Sequence, residues 1–171
     1  MKYFTQTLEE MDELAGFLEE DIENIQRVIK FCRENDLDVE FEIHAKAETC
    51  KESVQHSDVE MHQIVKTLVF KTGEDFVAVL APGDRRVSEE KLHEITGKEI
   101  DMAEPSEVEE ATGYVIGGVS PFDLDIPVYM EEKILDNEMV RPAAGSRAVG
   151  VNIDPNTLKK ATNAKSLDIV D

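Results

Sequence analysis

The stretch Gly113-Tyr-Val-Ile-Gly-Gly-Val-Ser-Pro121, followed by Phe122, constrains this chain more than any other. It holds three of the nine glycines among 171 residues, together with a serine and a proline. Glycine admits positive φ and lets a backbone or a ligand approach closely, and successive N–H groups in such a turn converge on an anion or a carbonyl oxygen. Two readings follow: a tight turn between buried strands, or a backbone cradle for a ligand.

A chain of this length suits one domain, or one domain with a helical extension, and buries about 70% of its extended-chain surface. No apolar run approaches the ~20 residues that span a bilayer, and the start, Met1-Lys-Tyr-Phe-Thr-Gln, has no signal-peptide core. The expectation is a soluble, cytoplasmic protein. Cys32 and Cys50 sit in unrelated patterns and are read as reduced thiols. The histidines form no HExxH, and His56 and His62 match no recognised zinc spacing, so no metal is expected. A formal charge of −20 opposes binding to polyanions. If a nucleic acid is the partner, a local basic patch must work against that field.

Along the chain, Leu8, Met11, Leu14, Ala15, Leu18, Ile22, Ile25, Val28, Ile29 and Cys32 recur at helical spacing behind a Thr7/Glu10 capping box. Asn35-Asp36 marks the end of this helix, and its other face is acidic. Val39 to His44 alternates as a half-buried strand, and Thr49 to His56 reads as a short polar helix. Ile64 to Phe70 and Phe76 to Leu80 form a central antiparallel hairpin. Lys66 is out of place in such a strand unless its amine reaches a cleft or an acidic partner. Ala81-Pro-Gly-Asp84 turns the chain, and Ser88 caps a helix through Thr96. Pro105 and Gly113 bracket another helix in Pro-first, Gly-last order, so the glycine-rich loop leaves a helix C-terminus. Ile126 to Met130 reads as a strand that Pro127 places at an edge, and Glu131 to Leu135 as a turn or short helix. Met139 to Arg141 is a further strand and Ala143-Ala-Gly-Ser-Arg147 a second small-residue loop. A strand at Val149 to Ile153, a helix from Pro155 to Thr162 and a last strand within Ser166 to Asp171 complete the pattern. Six or seven strands interleaved irregularly with helices indicate a mixed α+β domain. The expected division is residues 1–36 as an acidic amphipathic extension and 37–171 as the domain.

Lys66, the loop Gly117-Gly-Val-Ser-Pro121 and the segment Ala143-Ala-Gly-Ser-Arg147 stand together with Val65-Lys-Thr-Leu68, Leu80-Ala-Pro-Gly-Asp-Arg-Arg86, Ala103-Glu-Pro-Ser-Glu-Val108 and Thr112-Gly-Tyr114. In this order they resemble the YbaK family, the aminoacyl-tRNA deacylases related to the editing domain inserted in bacterial prolyl-tRNA synthetases. The resemblance runs from about Val39 to the C-terminus. It implies a largely antiparallel curved sheet surrounded by helices. It also implies hydrolysis of the ester joining a wrongly attached amino acid to the terminal adenosine of tRNA. Alanine or cysteine on tRNA for proline is the candidate substrate.

By the same resemblance Lys66 helps hold the substrate, and the GxxxP loop, Gly117 to Pro121, positions the ester. A hydroxyl of the terminal ribose helps activate the attacking water, and neither cofactor nor metal is implied. Backbone N–H groups of Gly117 and Gly118 are the candidate oxyanion donors. Ser120 has no histidine near it in sequence and reads as a loop hydrogen-bonder rather than a nucleophile. The substrate-binding set is Thr67, His44, Tyr114, Val119, Phe122, Ala144, Gly145 and Ser146, with Tyr114 and Phe122 either stacking on the adenine or packing the loop. Arg85, Arg86 and Arg147 are candidates for tRNA phosphate contacts, or ordinary surface ion pairs.

The chain departs from the family at Asp123, where members carry glycine, and in the long acidic helix before Asn35. That helix is a candidate for homodimerisation, for covering the site or for recruiting a synthetase. Two other functions compete with the editing hydrolase: a non-catalytic module binding tRNA ends, a nucleotide or a synthetase, and a scaffold whose acidic helix is the working surface.

Overall fold

A computed structural model describes residues 7–44 and 58–171. The expected polar helix Thr49–His56, with Cys50 and His56, lies outside the described residues. Helix α1 (Leu8–Glu34) begins at the predicted capping box, in which Thr7 Oγ1 accepts from the Glu10 N–H at 3.2 Å and Glu10 Oε2 accepts from the Thr7 N–H at 2.8 Å. It ends at Asn35, whose side chain donates to the Phe31 carbonyl. Leu14, Val28 and Cys32 are its buried residues, whereas Leu8, Met11 and Ile22 are exposed. The apolar stripe is therefore engaged mainly toward its C-terminal half, where Ile25 and Phe31 also pack on the core.

An eight-stranded sheet forms the centre. Its strands are β1 (Glu40–Ile43), β2 (Ile64–Thr72), β3 (Asp75–Pro82), β4 (Ile100–Met102), β5 (Val128–Glu131), β6 (Arg141–Ser146), β7 (Val149–Asn152) and β8 (Lys165–Leu167). The spatial order is β1-β7-β6-β2-β3-β5-β8, with β4 also on β2. Four of the seven pairings are antiparallel, and those of β2 with β6, β3 with β5 and β5 with β8 are parallel. Around the sheet lie α2 (Glu89–Thr96), α3 (Pro105–Thr112) and α4 (Pro155–Thr162). The predicted punctuation holds: Ser88 Oγ caps α2, Pro105 opens α3, and Gly113 closes α3 with φ of 79°.

Strand alternation distributes the core over two faces. Ala78 and Leu80 of β3 join Val65, Val69, Val28, Cys32, Val108 and Leu158 on one face. Val77, Val79 and Ala81 meet Phe70, Leu92, Ile169 and Val170 on the other.

Three readings of the sequence are corrected. Pro127 does not mark an edge, because β5 lies between β3 and β8. The proline stands just before the ladder, where its carbonyl accepts from the Ala78 N–H and its missing donor costs no pairing. Ala143 to Ser146 is not a loop but the end of β6, with a register irregularity against β7. The run of small side chains lets α1 lie close against it. Strand β4 was not expected, being three residues long and flanked by charge.

Gly145 shows how close that approach is. Its φ is 84°, and a Cβ there would stand 2.8 Å from the backbone carbon and oxygen of Asn24 in α1. Gly145→Ala combines left-handed strain with a backbone clash, and is expected to cost roughly 2–4 kcal/mol. Denaturant unfolding checks this; an unchanged midpoint and slope would refute the packing.

Candidate active site

Strand β2 has β3 along one whole edge. On the other edge β6 pairs only with Ile64 and Val65, and β4 only with Phe70 to Thr72. Between them, at Lys66 to Leu68, the sheet opens into a cleft of about 390 Å³. Its walls come from β2, from Met102 at the end of β4 and Ala103 just after it, from the glycine-rich loop at Ile116, Gly117 and Val119, and from β6 and β7. Ends of separate strands thus meet one loop at a discontinuity of the sheet, a common setting for small-ligand sites.

Lys66 lies on this wall, and its ammonium donates to the Arg85 carbonyl. Thr67 alternates to the opposite face of β2. Its Oγ1 is buried without a hydrogen-bond partner. Arg141, the register partner of Ile64, shares the face of Lys66. It is only 4% exposed, with Nε donating to Asn152 Oδ1 and Nη2 paired to Glu42 and, at 3.6 Å, to Asp58. Its Nη1 has no partner. Gly150 makes room for this side chain, since a Cβ there would stand 2.8 Å from Arg141 Cγ and Cδ. These two are the only orphaned buried side-chain polar atoms found among the described residues, and both belong to cleft-lining residues. Buried polar groups are normally satisfied, so the two atoms make the cleft a candidate site for a polar ligand or water.

Arg141 was not singled out in the sequence. The available signal was the anomaly that drew attention to Lys66, a cation within the otherwise apolar Met139-Val-Arg-Pro-Ala-Ala144.

The loop is held from several sides. Gly117 has φ of 93°, and the Arg147 side chain crosses it so closely that a Cβ would stand 2.6 Å from Nε. Arg147 donates through Nε and Nη2 to the Ile116 carbonyl at 3.3 and 3.1 Å, and its guanidinium lies 5.6 Å from the ring centre of Phe17 in α1. Gly118 packs backbone to backbone on Ser146 and Gly145, with a Cβ meeting atoms at 3.0–3.1 Å. Its N–H donates to the Val115 carbonyl at 2.9 Å, which ties up one of the two expected oxyanion donors in the turn itself. The Gly117 N–H has no acceptor among the described residues.

Of the residues expected from sequence, Lys66, Thr67, His44, Gly117, Val119, Ser146 and Arg147 meet at the cleft. Tyr114 and Phe122 are fully buried beneath the loop, where the Tyr114 hydroxyl donates to the Phe122 carbonyl at 2.8 Å. Burial pushes the Tyr114 pKa up to about 12, so the phenol remains a donor. These rings pack the loop rather than reach the cleft. Ser120 and Pro121 are also buried, the Ser120 hydroxyl accepting from the Phe122 N–H at 3.4 Å. Ala144 and Gly145 face α1 and the core. The Arg85 and Arg86 side chains are exposed, and it is their carbonyls that bond, to Lys66 Nζ and to the Asp171 N–H. Cys32 is buried, and its thiol pKa rises to about 11.

Among the described residues there is no group of three or more His, Cys, Asp or Glu placed to hold a metal ion, and no helix long and apolar enough to cross a membrane.

The chain is 33% identical over 136 residues to YwhH of Bacillus subtilis, spanning 78% of this chain and 85% of that one. It is 31% identical over 134 residues to EbsC of Enterococcus faecalis, provisionally named a Cys-tRNA(Pro)/Cys-tRNA(Cys) deacylase, spanning 75% and 79%. A proline–tRNA ligase of Caldicellulosiruptor saccharolyticus shares 33% identity over 87 residues, half of this chain and 15% of the ligase. A crystal structure provisionally described as a trans-editing enzyme for prolyl tRNA synthetase superposes with a TM-score of 0.79 at 31% identity, covering 86% of this chain and 97% of the other. Residues 44–161, which contain the cleft strands, Lys66 and the glycine-rich loop, match the aminoacyl-tRNA editing domain, and the chain belongs to that family.

Proposed function

We propose that this protein acts in trans as an aminoacyl-tRNA deacylase, releasing a wrongly attached amino acid from the 3′ end of tRNA. The observation that carries this reading is the opening in the sheet at Lys66 to Leu68, where Lys66, the Gly117 backbone and two unsatisfied polar side chains line one cleft. Its volume of about 390 Å³ suits an amino acid with part of a ribose.

In the reaction a water oxygen bonds to the ester carbonyl carbon, and the bond from that carbon to the ribose oxygen breaks. The departing ribose oxygen takes a proton, leaving a free amino acid and deacylated tRNA. The ester is already activated, so fixing its carbonyl beside a water supplies much of the rate. The Gly117 N–H donates to the developing oxyanion, and the Lys66 ammonium holds the carbonyl oxygen or the terminal phosphate. A ribose hydroxyl assists the attacking water. Two of the nucleophilic side chains are poorly placed for the role: Cys32 is a buried, protonated thiol, and the Ser120 hydroxyl is buried within the loop, away from the cleft. Arg147 at the rim and Lys66 within supply local positive charge on a chain of net charge −20. The name carried by EbsC makes tRNA for proline bearing cysteine the first substrate to try, with alanine, the other candidate implied by the family resemblance, beside it.

The test is a deacylation panel of alanyl-, cysteinyl-, seryl- and prolyl-tRNA for proline with cognate alanyl- and cysteinyl-tRNA, at several salt concentrations. Rapid release from one noncognate ester, with prolyl-tRNA spared, is the expected result. Binding of tRNA ends without hydrolysis of any ester would replace this reading with a non-catalytic module.

A further inference from the structure

Arg27 lies in α1, seventeen residues before the segment that matches the editing domain, yet its guanidinium is spent on the glycine-rich loop. Nη1 donates to the Thr112 carbonyl at 2.6 Å, where the loop leaves α3. Nη2 donates to the Asp123 carbonyl, and Nε pairs with Asp123 Oδ2 at 2.9 Å, where the loop ends. The guanidinium carbon stands 4.2 Å from the centre of the Tyr114 ring, within the range of a cation–π contact. One planar fork therefore ties the two ends of the loop together, a task for which five fixed donors suit arginine and not lysine.

The loop itself is built to receive this contact. A Cβ on Gly113 would stand 2.9 Å from Arg27 Nη1, so Gly113 serves both its left-handed φ and the approach of the guanidinium. Asp123 occupies a left-handed position with φ of 60°. A glycine would sit there more easily, but only a carboxylate adds the pairing to Nε. Phe31, one helical turn beyond Arg27, packs its ring on Phe122 at 5.7 Å between centroids. The contacts span 85 and 96 residues of sequence, so this helix and this loop are joined by tertiary structure alone.

We propose that Arg27 is a positioning residue for the editing loop, with Asp123 as its partner, and that α1 is thereby a working part of the site. Resting on the deacylase reading for its kinetic arm, the proposal assigns Arg27 no contact with substrate. It sets where the Gly117 N–H points by fixing the anchors on either side of it.

The test uses the full chain with Arg27→Ala, Arg27→Lys, Asp123→Gly and the double variant Arg27→Ala with Asp123→Gly. Amide hydrogen exchange and steady-state deacylation of the best substrate are both measured. Arg27→Ala is expected to speed exchange selectively across residues 113–123, leaving the strands protected, and to lower kcat at least tenfold with KM changed less than threefold. Arg27→Lys recovers part of kcat, and Asp123→Gly, which keeps both carbonyl contacts, loses less than Arg27→Ala. The double variant falls short of the product of the two single losses, because the pair acts as a unit. Wild-type exchange in 113–123 with wild-type kcat in Arg27→Ala would overturn the proposal, as would a uniform rise in exchange throughout the chain. A wild-type protein that hydrolyses no ester would remove the functional reading, while the exchange comparison would still decide the clamp.

Discussion

Lys66→Ala is expected to lower deacylation about 100-fold or more, the scale of losing a group that holds developing charge in a hydrolytic site, while leaving the unfolding midpoint near that of the wild type. Lys66 reaches one hydrogen-bond acceptor, the Arg85 carbonyl, at the margin of the cleft. Its side chain is partly exposed, so the strand does not need the cation in order to pair with β3. The two readouts separate cleanly for that reason. An ammonium that only decorates a strand would leave the rate untouched, and a hydrolysis rate equal to wild type in Lys66→Ala would end its assignment. Lys66→Arg keeps the charge but not its position, and should recover only part of the activity.

Glu131→Ala is expected to be strongly destabilising, by roughly 2–5 kcal/mol, as estimated from two buried donors losing their acceptor. Glu131 is fully buried at the end of β5. Its Oε2 accepts from the Ile169 N–H at 2.8 Å and the Val170 N–H at 3.1 Å, and Oε1 from the Lys133 N–H at 3.2 Å. Ile169 and Val170 are fully buried and carry the C-terminal segment into the second core face. That segment then bridges to Val87, just before α2. Removing the carboxylate strands the two N–H groups where water does not reach, and loosens the seam between α2 and the sheet. Glu131→Gln retains an acceptor oxygen and should lose less. The measurement is equilibrium unfolding in denaturant; equal stability of Glu131→Ala and wild type would refute this account. Because the seam lies across the sheet from the glycine-rich loop, residual folded Glu131→Ala should still deacylate.

The same contrast separates what could be read from the chain and what could not. Helix α1, the β2–β3 hairpin and the caps at Thr7, Ser88, Pro105 and Gly113 were legible because each rests on neighbours a few residues apart. Period, capping oxygen and turn residue all lie within one window. Lys66 and the glycine-rich loop were legible as anomalies, a charge in an apolar strand and three glycines in nine positions. Strand β4 was not legible, because three residues carry no period and exist as a strand only where β2 offers an edge. The small-residue run at Ala143 to Ser146 reads locally as a loop, since nothing within it says that α1 will lie across it.

Which residues share the cleft was decided by tertiary structure alone. The cleft exists because β6 and β4 each cover only one end of the same edge of β2, a fact of register that no single segment contains. Arg141 reaches it because Gly150 on the neighbouring strand leaves room, and Tyr114 and Phe122 miss it because the loop folds over them. Sequence by itself thus determined the elements, their ends and the two chemical anomalies, all of which depend on short-range geometry. The tertiary structure decided the opening in the sheet and the union of Arg27 with Asp123, because both depend on contacts between segments tens of residues apart.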